Sequence, residues 1–323
     1  MPVPDFQNVP VLVTGGAGFI GSHLVEDLVQ RGARVTALDD LSTGDERNLA
    51  PVRARIRFVR GDIRRLEDCR EAVRDAVYVF HEAALGSVPR SIEHPAKTID
   101  VNVTGTATVF EACHDAGVRR VVWASSSSVY GDSTTLPKRE GEEGRPLSPY
   151  ALSKVAGEQL AETYFRCFDF PVVGLRYFNV FGPRQSPDGP YAAVVPRFFA
   201  AVRAGKPPVI YGDGQQSRDF TYVKDVVDAN FHAAGAPPET CGRAYNVAPG
   251  QRTTILDLAH HIIALHGAAL EPQFLPSRSG DVAHSQADSS RARLDLGFTA
   301  RWTLKDGLKA MAGDAAPSTK VIA

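Results

Sequence analysis

The chain has 323 residues, 43% of them hydrophobic and 23% charged, enough to bury a large core in one large or two coupled domains. Its 36 basic residues nearly cancel its 37 acidic ones, with no long run of either sign, which argues against nucleic acid or a membrane surface as partner. No apolar run reaches membrane-spanning length, and "MPVPDFQNVP" is neither basic nor hydrophobic enough for a signal, so a cytoplasmic protein is expected. Cys69, Cys113, Cys167 and Cys241 are widely spaced, the pattern of reduced, packed thiols rather than of disulfides or a metal site.

From the N-terminus, β-rich apolar runs alternate with helical patterns. "VPVLVTG" predicts a strand, followed by a helix from about Phe19 to Gln30, then the strands "ARVTALD", "IRFVRGD" and "AVYVFHEAA". A helix is expected from about Lys97 to Ala116, then the strand of "RRVVWASSSSVYG", a helix from about Pro149 to Cys167, and the strand of "PVVGLRYFNVFG". Such alternation predicts βαβ units around a doubly wound parallel sheet of Rossmann type, an α/β fold. After Gly182, proline and glycine become frequent and the elements scatter, as in a smaller mixed α/β domain. Residues 1–182, with a later segment near 219–247 returning to them, are expected to form the dinucleotide domain, and 183–323 mainly a substrate domain.

In "VTGGAGFIG", Gly15, Gly18 and Gly21 lie between a strand and a helix, where missing side chains let a pyrophosphate approach the helix N-terminus. Asp39 ends the second strand, placed to accept hydrogen bonds from an adenosine ribose and to repel a 2′-phosphate, which favours NAD over NADP. Asp62 and Ile63 follow the third strand, where adenine would lie; a simple strand-end turn is the alternative there.

"SPYALSK" sets Tyr150 and Lys154 one helical turn apart. A phenol cannot act as a base at neutral pH unaided, but an ammonium and a bound nicotinamide cation both favour the phenolate. Ser126, in "WASSSSVYG", ends a strand on the lip of the sheet, where its hydroxyl could share a substrate proton with Tyr150. A polar strand end satisfying its own backbone is the plainer reading of the four serines.

With "TGGAGFIG", "SSSSVYG", "PYALSK" and "LRYFNVFGPRQ" together, the chain resembles the extended short-chain dehydrogenase/reductase family, and within it the nucleotide-sugar 4-epimerases, from about Val11 to Leu308. The resemblance implies a retained NAD and a Tyr150 that removes the proton of the carbon-4 hydroxyl while hydride leaves for the nicotinamide. The 4-keto sugar then turns over and takes the hydride back on its other face. Beyond the glycines, the acids and the Tyr150–Lys154 pair, it implies cofactor contacts from Phe19, Ile20, Asp40, Ser42, Gly44, Ala83, Ala84, Asn102 and Tyr177. For the UDP-sugar it implies Ser126, Ser127 and Ser128, Asn179, Tyr211, and Arg218 and Arg278 on phosphate, with Asp281 on the uridine ribose. Val194 and Val195 resemble the stretch along the uracil, with core packing as the alternative. A homodimer is implied through the helices near Lys97–Ala116 and Pro149–Cys167.

"ALGSVPRSI" resembles the subgroup acting on N-acetylhexosamines, where Ser87 and Ser91 would lie near the sugar. Ser285 falls at a gatekeeper position where a bulky tyrosine restricts the site to plain hexoses; a small residue leaves room for an acetamido group. UDP-N-acetylglucosamine is therefore the expected substrate, with UDP-glucose expected alongside it; UDP-glucose alone and a UDP-hexuronate are the alternatives. Ser127 and Ser128 stand where dehydratases and decarboxylases need an extra acid or base, and Asn179 stands where hexuronate 4-epimerases typically carry threonine. A non-catalytic dinucleotide sensor on the same fold would usually lose Tyr150 and Lys154. Ala283 and Glu82 depart from common choices at their places.

Overall fold

The computed structural model describes residues 3–188, 192–277 and 283–313. Six strands enter the central sheet from the first half: β1 (Pro10–Thr14), β2 (Arg34–Asp39), β3 (Arg57–Arg60), β4 (Tyr78–His81), β5 (Arg120–Ser126) and β6 (Val172–Tyr177). A seventh, Ala244–Val247, comes from the second half. The order is Ala244–Val247, β6, β5, β4, β1, β2, β3, and every pairing in it is parallel. The sequence runs outward from β1 to β3 and, after a crossover, outward from β4 to the far edge, so a crevice opens at the carboxyl ends where the direction reverses. All seven residues of β5 and all six of β6 are buried, because helices cover both faces.

Helices α1 (Phe19–Gln30), α2 (Leu66–Val73), α3 (Val88–Glu93), α4 (Pro95–Ile99), α5 (Gly105–Asp115) and α6 (Pro149–Phe168) connect these strands. Leu24, Val25 and Leu28 of α1 join Val226 and Phe231 of the later helix Val223–Ala234 against one face of the sheet. On the other face Phe110 of α5 and Ala161 of α6 pack with Val79, Val121 and Trp123. The segment Val223–Val247 thus returns a helix and an edge strand to the sheet. A third cluster, built on Phe198, Phe199, Ile210, Phe220, Leu258, Ile262 and Leu308, holds the second lobe together.

Three elements differ from the sequence expectation, the first being the short helix α3, which no predicted element covers. The helix expected over 97–116 is interrupted by a π-helical turn at Asp100–Thr104 between α4 and α5. The extra residue aims Asn102 at the loop after β4, where its Oδ1 accepts from Leu85 N at 2.8 Å and its Nδ2 donates to Leu85 O at 3.2 Å. Helix α2 was not expected, since "LEDCREAV" buries only Cys69, Ala72 and Val73, too short a stripe for a periodic signal. Among the described residues no helix is long and apolar enough to cross a membrane.

Candidate active site

A cleft of about 1380 Å³ runs along the carboxyl ends of β1, β2, β4, β5 and β6 and on to the second lobe. At one end is the N-terminus of α1. Gly18 is its N-cap, with extended backbone and no side-chain cap, so the first N–H groups of the helix lack a side-chain acceptor at the cleft wall. The turn closes because residue 21 lacks a side chain: a Cβ on Gly21 would stand 2.1 Å from the carbonyl oxygen of Gly15. Such a terminus is suited to a phosphate group. Asp39 at the end of β2 accepts from Ala17 N at 3.0 Å and Leu41 N at 2.8 Å. Burial raises its pKa above the ordinary carboxylate value, and the two N–H bonds act against that rise. Uncapped helix terminus and acid at the second strand are what a dinucleotide requires, N–H donors for the pyrophosphate and a carboxylate acceptor for the ribose. Phe19, Ile20, Asp40, Ser42, Gly44, Asp62, Ile63, Ala83 and Ala84 line the same stretch. Asp62 is held below the usual carboxylate range, first by its bond to the Arg64 guanidinium.

Helix α6 supplies the other half of the cleft. Its N-cap is Ser148, whose Oγ accepts from Ala151 N at 3.1 Å, and Pro149 opens it. Tyr150 and Lys154 therefore face β5 one turn apart, and Lys154 is only 3% exposed. Its Nζ donates to Ala124 O at 2.7 Å and lies 5.9 Å from the Tyr150 ring centre. Burial pushes this ammonium down to about 8, against the pull of Glu82 and Glu158. Burial holds Tyr150 above its ordinary value, and its hydrogen bond with Ser126 acts in the other direction. Ser126 also accepts from Ser128 N at 3.1 Å, so the plainer reading of this serine holds alongside its contact with Tyr150.

Toward the second lobe the cleft is lined by Ser126, Ser127, Ser128, Asn179, Arg218 and Ser285, together with Tyr177. Asn179 has φ +33°, a left-handed conformation asparagine tolerates, and donates to Asp219 O at 3.3 Å. Arg218 donates to Ser217 O at 2.9 Å. The Ser128 hydroxyl is buried without a partner in the protein among the described residues.

Several expected residues stand elsewhere. Asn102 is 2% exposed and clamps Leu85 from behind the wall, also donating to Ser153 Oγ at 3.0 Å. Ser87 caps α3, accepting from Arg90 N at 3.3 Å, and the buried Ser91 hydroxyl donates to Val88 O at 2.7 Å. Neither lines the cleft. Val194 opens the helix Val194–Arg203, and Val195 sits in the second-lobe core, as its packing alternative had it. Tyr211 ends the strand Val209–Tyr211 and is not among the residues lining the cleft; the Arg197 guanidinium stands 5.9 Å from its ring centre. Arg278 and Asp281 lie outside the described residues.

Glu82, an unusual choice where β4 ends, stands in the cleft; the buried Arg176–Glu158 pair was not expected. Glu82 lines the cleft and accepts from the Tyr177 hydroxyl at 2.8 Å; burial pushes its carboxyl up to about 7. Arg176, 5% exposed, forms two bonds to Glu158, at 2.8 and 2.7 Å, and Ser125 Oγ donates to Glu158 at 2.5 Å. The same guanidinium reaches Glu143 and the Tyr130 hydroxyl, tying the loop beside the cleft to the sheet. Glu158 could have been found from its spacing, one turn beyond Lys154 on α6.

Fold and site define a dinucleotide-dependent enzyme with a tyrosine–lysine–serine centre. The family model described as the NAD dependent epimerase/dehydratase family matches residues 11–248. The UDP-glucose 4-epimerase of Mycolicibacterium smegmatis is 42% identical over 302 residues, 92% of this chain and 95% of that protein. Among solved structures, the UDP-glucose 4-epimerase of Thermotoga maritima with UDP-glucose superposes with a TM-score of 0.90 at 35% identity, covering 94% of this chain and 98% of that one. The UDP-N-acetylglucosamine 4-epimerase of Methanobrevibacter ruminantium, in complex with UDP-N-acetylmuramic acid, gives 0.90 at 38% identity, covering 95% and 98%. The chain belongs to the NAD dependent epimerase/dehydratase family, and NAD is its cofactor.

Proposed function

We propose that this enzyme is a UDP-sugar 4-epimerase that interconverts UDP-N-acetylglucosamine and UDP-N-acetylgalactosamine and also accepts UDP-glucose and UDP-galactose. The observation that carries the reading is one continuous cleft in which Ser126, Tyr150 and Lys154 stand between an uncapped helix terminus and the cluster Ser128, Asn179, Arg218 and Ser285. The bound nicotinamide supplies the hydride acceptor, and its positive charge favours loss of the Tyr150 proton. Tyr150, joined to Ser126, takes the proton of the carbon-4 hydroxyl and later returns it to the same oxygen. Lys154, anchored on Ala124 O, presents its remaining protons to the cofactor ribose and Tyr150. Asp39 takes the adenosine ribose, with Gly15, Gly18 and the start of α1 on the pyrophosphate. Arg218 and Arg278 take the diphosphate of the substrate and Asp281 its uridine ribose. The unpartnered Ser128 hydroxyl and Ser285 are donors for the sugar, and the small Ser285 leaves room for an acetamido group.

The first-half sheet, with the returned Val223–Val247 segment, carries the cofactor, and the second lobe carries the nucleotide. A homodimer through the α5 and α6 faces is part of this reading, supported by Leu152 of α6, which is half exposed. Four free cysteines suit a reducing cytoplasm.

The reading is tested by incubating purified protein, without added NAD, with UDP-N-acetylglucosamine and with UDP-glucose separately, following the carbon-4 and anomeric proton signals by NMR. Appearance of the galacto isomer from the acetylated sugar supports it. Conversion of UDP-glucose alone, the activity that names the Mycolicibacterium and Thermotoga relatives, would keep the chemistry and overturn the substrate assignment.

A further inference from the structure

Glu82 lines the cleft immediately after β4, and its placement is over-determined. Its own N–H donates to Thr14 O at 3.2 Å and the next, that of Ala83, to Thr14 Oγ1 at 3.3 Å, which pins the residue to the end of β1 beside the glycine turn. Its carboxyl accepts from the Tyr177 hydroxyl at 2.8 Å, and that oxygen in turn accepts from Asn230 Nδ2 at 2.8 Å. Asn230 is fixed by a second bond, to Val226 O at 2.9 Å. Across the cleft stands Lys154, and the two opposite charges stabilise each other. A carboxyl this firmly held cannot swing away when the charge of its neighbourhood changes.

The ring that exchanges hydride must lie within reach of a sugar whose carbon-4 oxygen meets Tyr150, and so beside the group formed by Tyr150, Lys154 and Glu82. Reduction of that ring adds two electrons and one proton as hydride and removes its positive charge. A fixed carboxylate nearby interacts favourably with the cationic oxidised form and gains nothing from the neutral reduced one. We propose that Glu82 is a positioning residue that biases the bound cofactor toward NAD+, so that the enzyme rests in the form able to begin a turnover. Anchoring Tyr177 would by itself be a structural role; a preference between two oxidation states would not follow from it. The inference rests on the cleft reading given above.

The test is equilibration of the protein, stripped of copurified nucleotide, with mixtures of free NAD+ and NADH at fixed total concentration, reading the bound ratio by nicotinamide absorbance and fluorescence after rapid gel filtration. Glu82→Gln keeps an acceptor for the Tyr177 hydroxyl and removes the charge; its bound ratio is expected to move toward NADH by about threefold or more. Tyr177→Phe removes a hydrogen bond that favours the carboxylate, so it is compared at pH 9, where the Glu82 charge is kept, and is expected there to move the ratio by less than about half as much as Glu82→Gln. A Glu82→Gln ratio equal to that of the wild type, or a Tyr177→Phe shift as large as that of Glu82→Gln, overturns the proposal.

A second arm needs no variant to fold. The ionisable groups facing Glu82 are Lys154 from α6, held near 8, and Tyr177 and Tyr150, both raised and so neutral across this range. Glu82 itself is held near 7, so the wild-type bound ratio is expected to shift toward NAD+ as pH rises from 6 to 8. Lys154 adds in the same direction only toward the upper end of that range, so the part below about 7 reports Glu82. A flat wild-type ratio from 6 to 7 overturns the proposal. Failure of every form to take up either nucleotide would overturn the cleft reading itself, and this inference with it.

Discussion

Gly157 of α6 lies so close to Trp123 of β5 that a Cβ at position 157 would stand 2.3 Å from the indole Cζ2. That approach lets α6 lie close on the sheet, and it is what brings Lys154 Nζ within 2.7 Å of Ala124 O. Trp123 is 1% exposed and its ring has no space into which to retreat. Gly157→Ala is expected to lift the helix, lowering stability in urea by about 1–3 kcal/mol and reducing kcat more than it changes KM. Unchanged stability and kcat would show that the helix accommodates the methyl group.

Tyr150→Phe removes the one group placed to exchange the substrate proton and keeps the ring. The expected result is a loss of about 10²–10⁴ in kcat, with NAD retained and the fold unchanged by circular dichroism. Activity within tenfold of the wild type would move the proton-transfer role to another cleft residue.

The buried ion pair of Arg176 with Glu158 is a strict dependence between two charges. Removing one partner leaves the other uncompensated in the interior, where Ser125, Tyr130 and Glu143 also rely on it. Arg176→Met is expected to lower stability by about 3–5 kcal/mol in urea unfolding. Arg176→Met together with Glu158→Leu is expected to recover a large part of that loss; additive losses instead would rule out the pair as the source.

Two buried histidines set the acid limit. His81 bonds Thr14 Oγ1 at 2.7 Å and Thr106 Oγ1 at 3.1 Å, and burial holds it down to about 3; His23, against Pro183 O, is held down to about 4. Both folded values lie below the ordinary 6.5, so on acidification the unfolded chain takes up these protons first. Their stabilising contribution is full above pH 6.5 and falls as pH drops toward 4. By pH 5 each histidine is expected to account for about 2 kcal/mol of lost stability, and His81→Gln to flatten the pH dependence of urea midpoints between 7 and 5. An equally steep profile in that variant would point to other groups.

Ser285→Tyr places a large ring at the sugar end of the cleft. Turnover of UDP-N-acetylglucosamine is expected to fall by more than about tenfold, with UDP-glucose changed by less than about threefold. Equal losses on both substrates would remove Ser285 from the specificity argument.

The alternating pattern of runs rich in Val and Ile with amphipathic stretches, the glycine turn at residues 15–21 and the one-turn spacing of Tyr150 and Lys154 were legible from the chain alone, because each depends on local periodicity or on backbone freedom. The same local logic gave no sight of the π turn at Asp100–Thr104, which turns Asn102 toward Leu85, or of α2, whose apolar face is three residues. Nor could spacing say that Ser91 would bond Val88 and face away from the cleft, since side-chain direction in a six-residue helix depends on what that helix packs against.

By itself the sequence determined the alternation of the sheet strands with the longer helices, the glycine turn and the presence of a serine, a tyrosine and a lysine fit for proton transfer. Only the tertiary structure decided the charge environment of those groups. Electrostatics inside a protein depends on burial and on partners far apart in sequence. Lys154 is turned to Ala124 and lowered by burial, Tyr150 is raised and answered by Ser126, and Glu82 meets Tyr177 across 95 positions of chain.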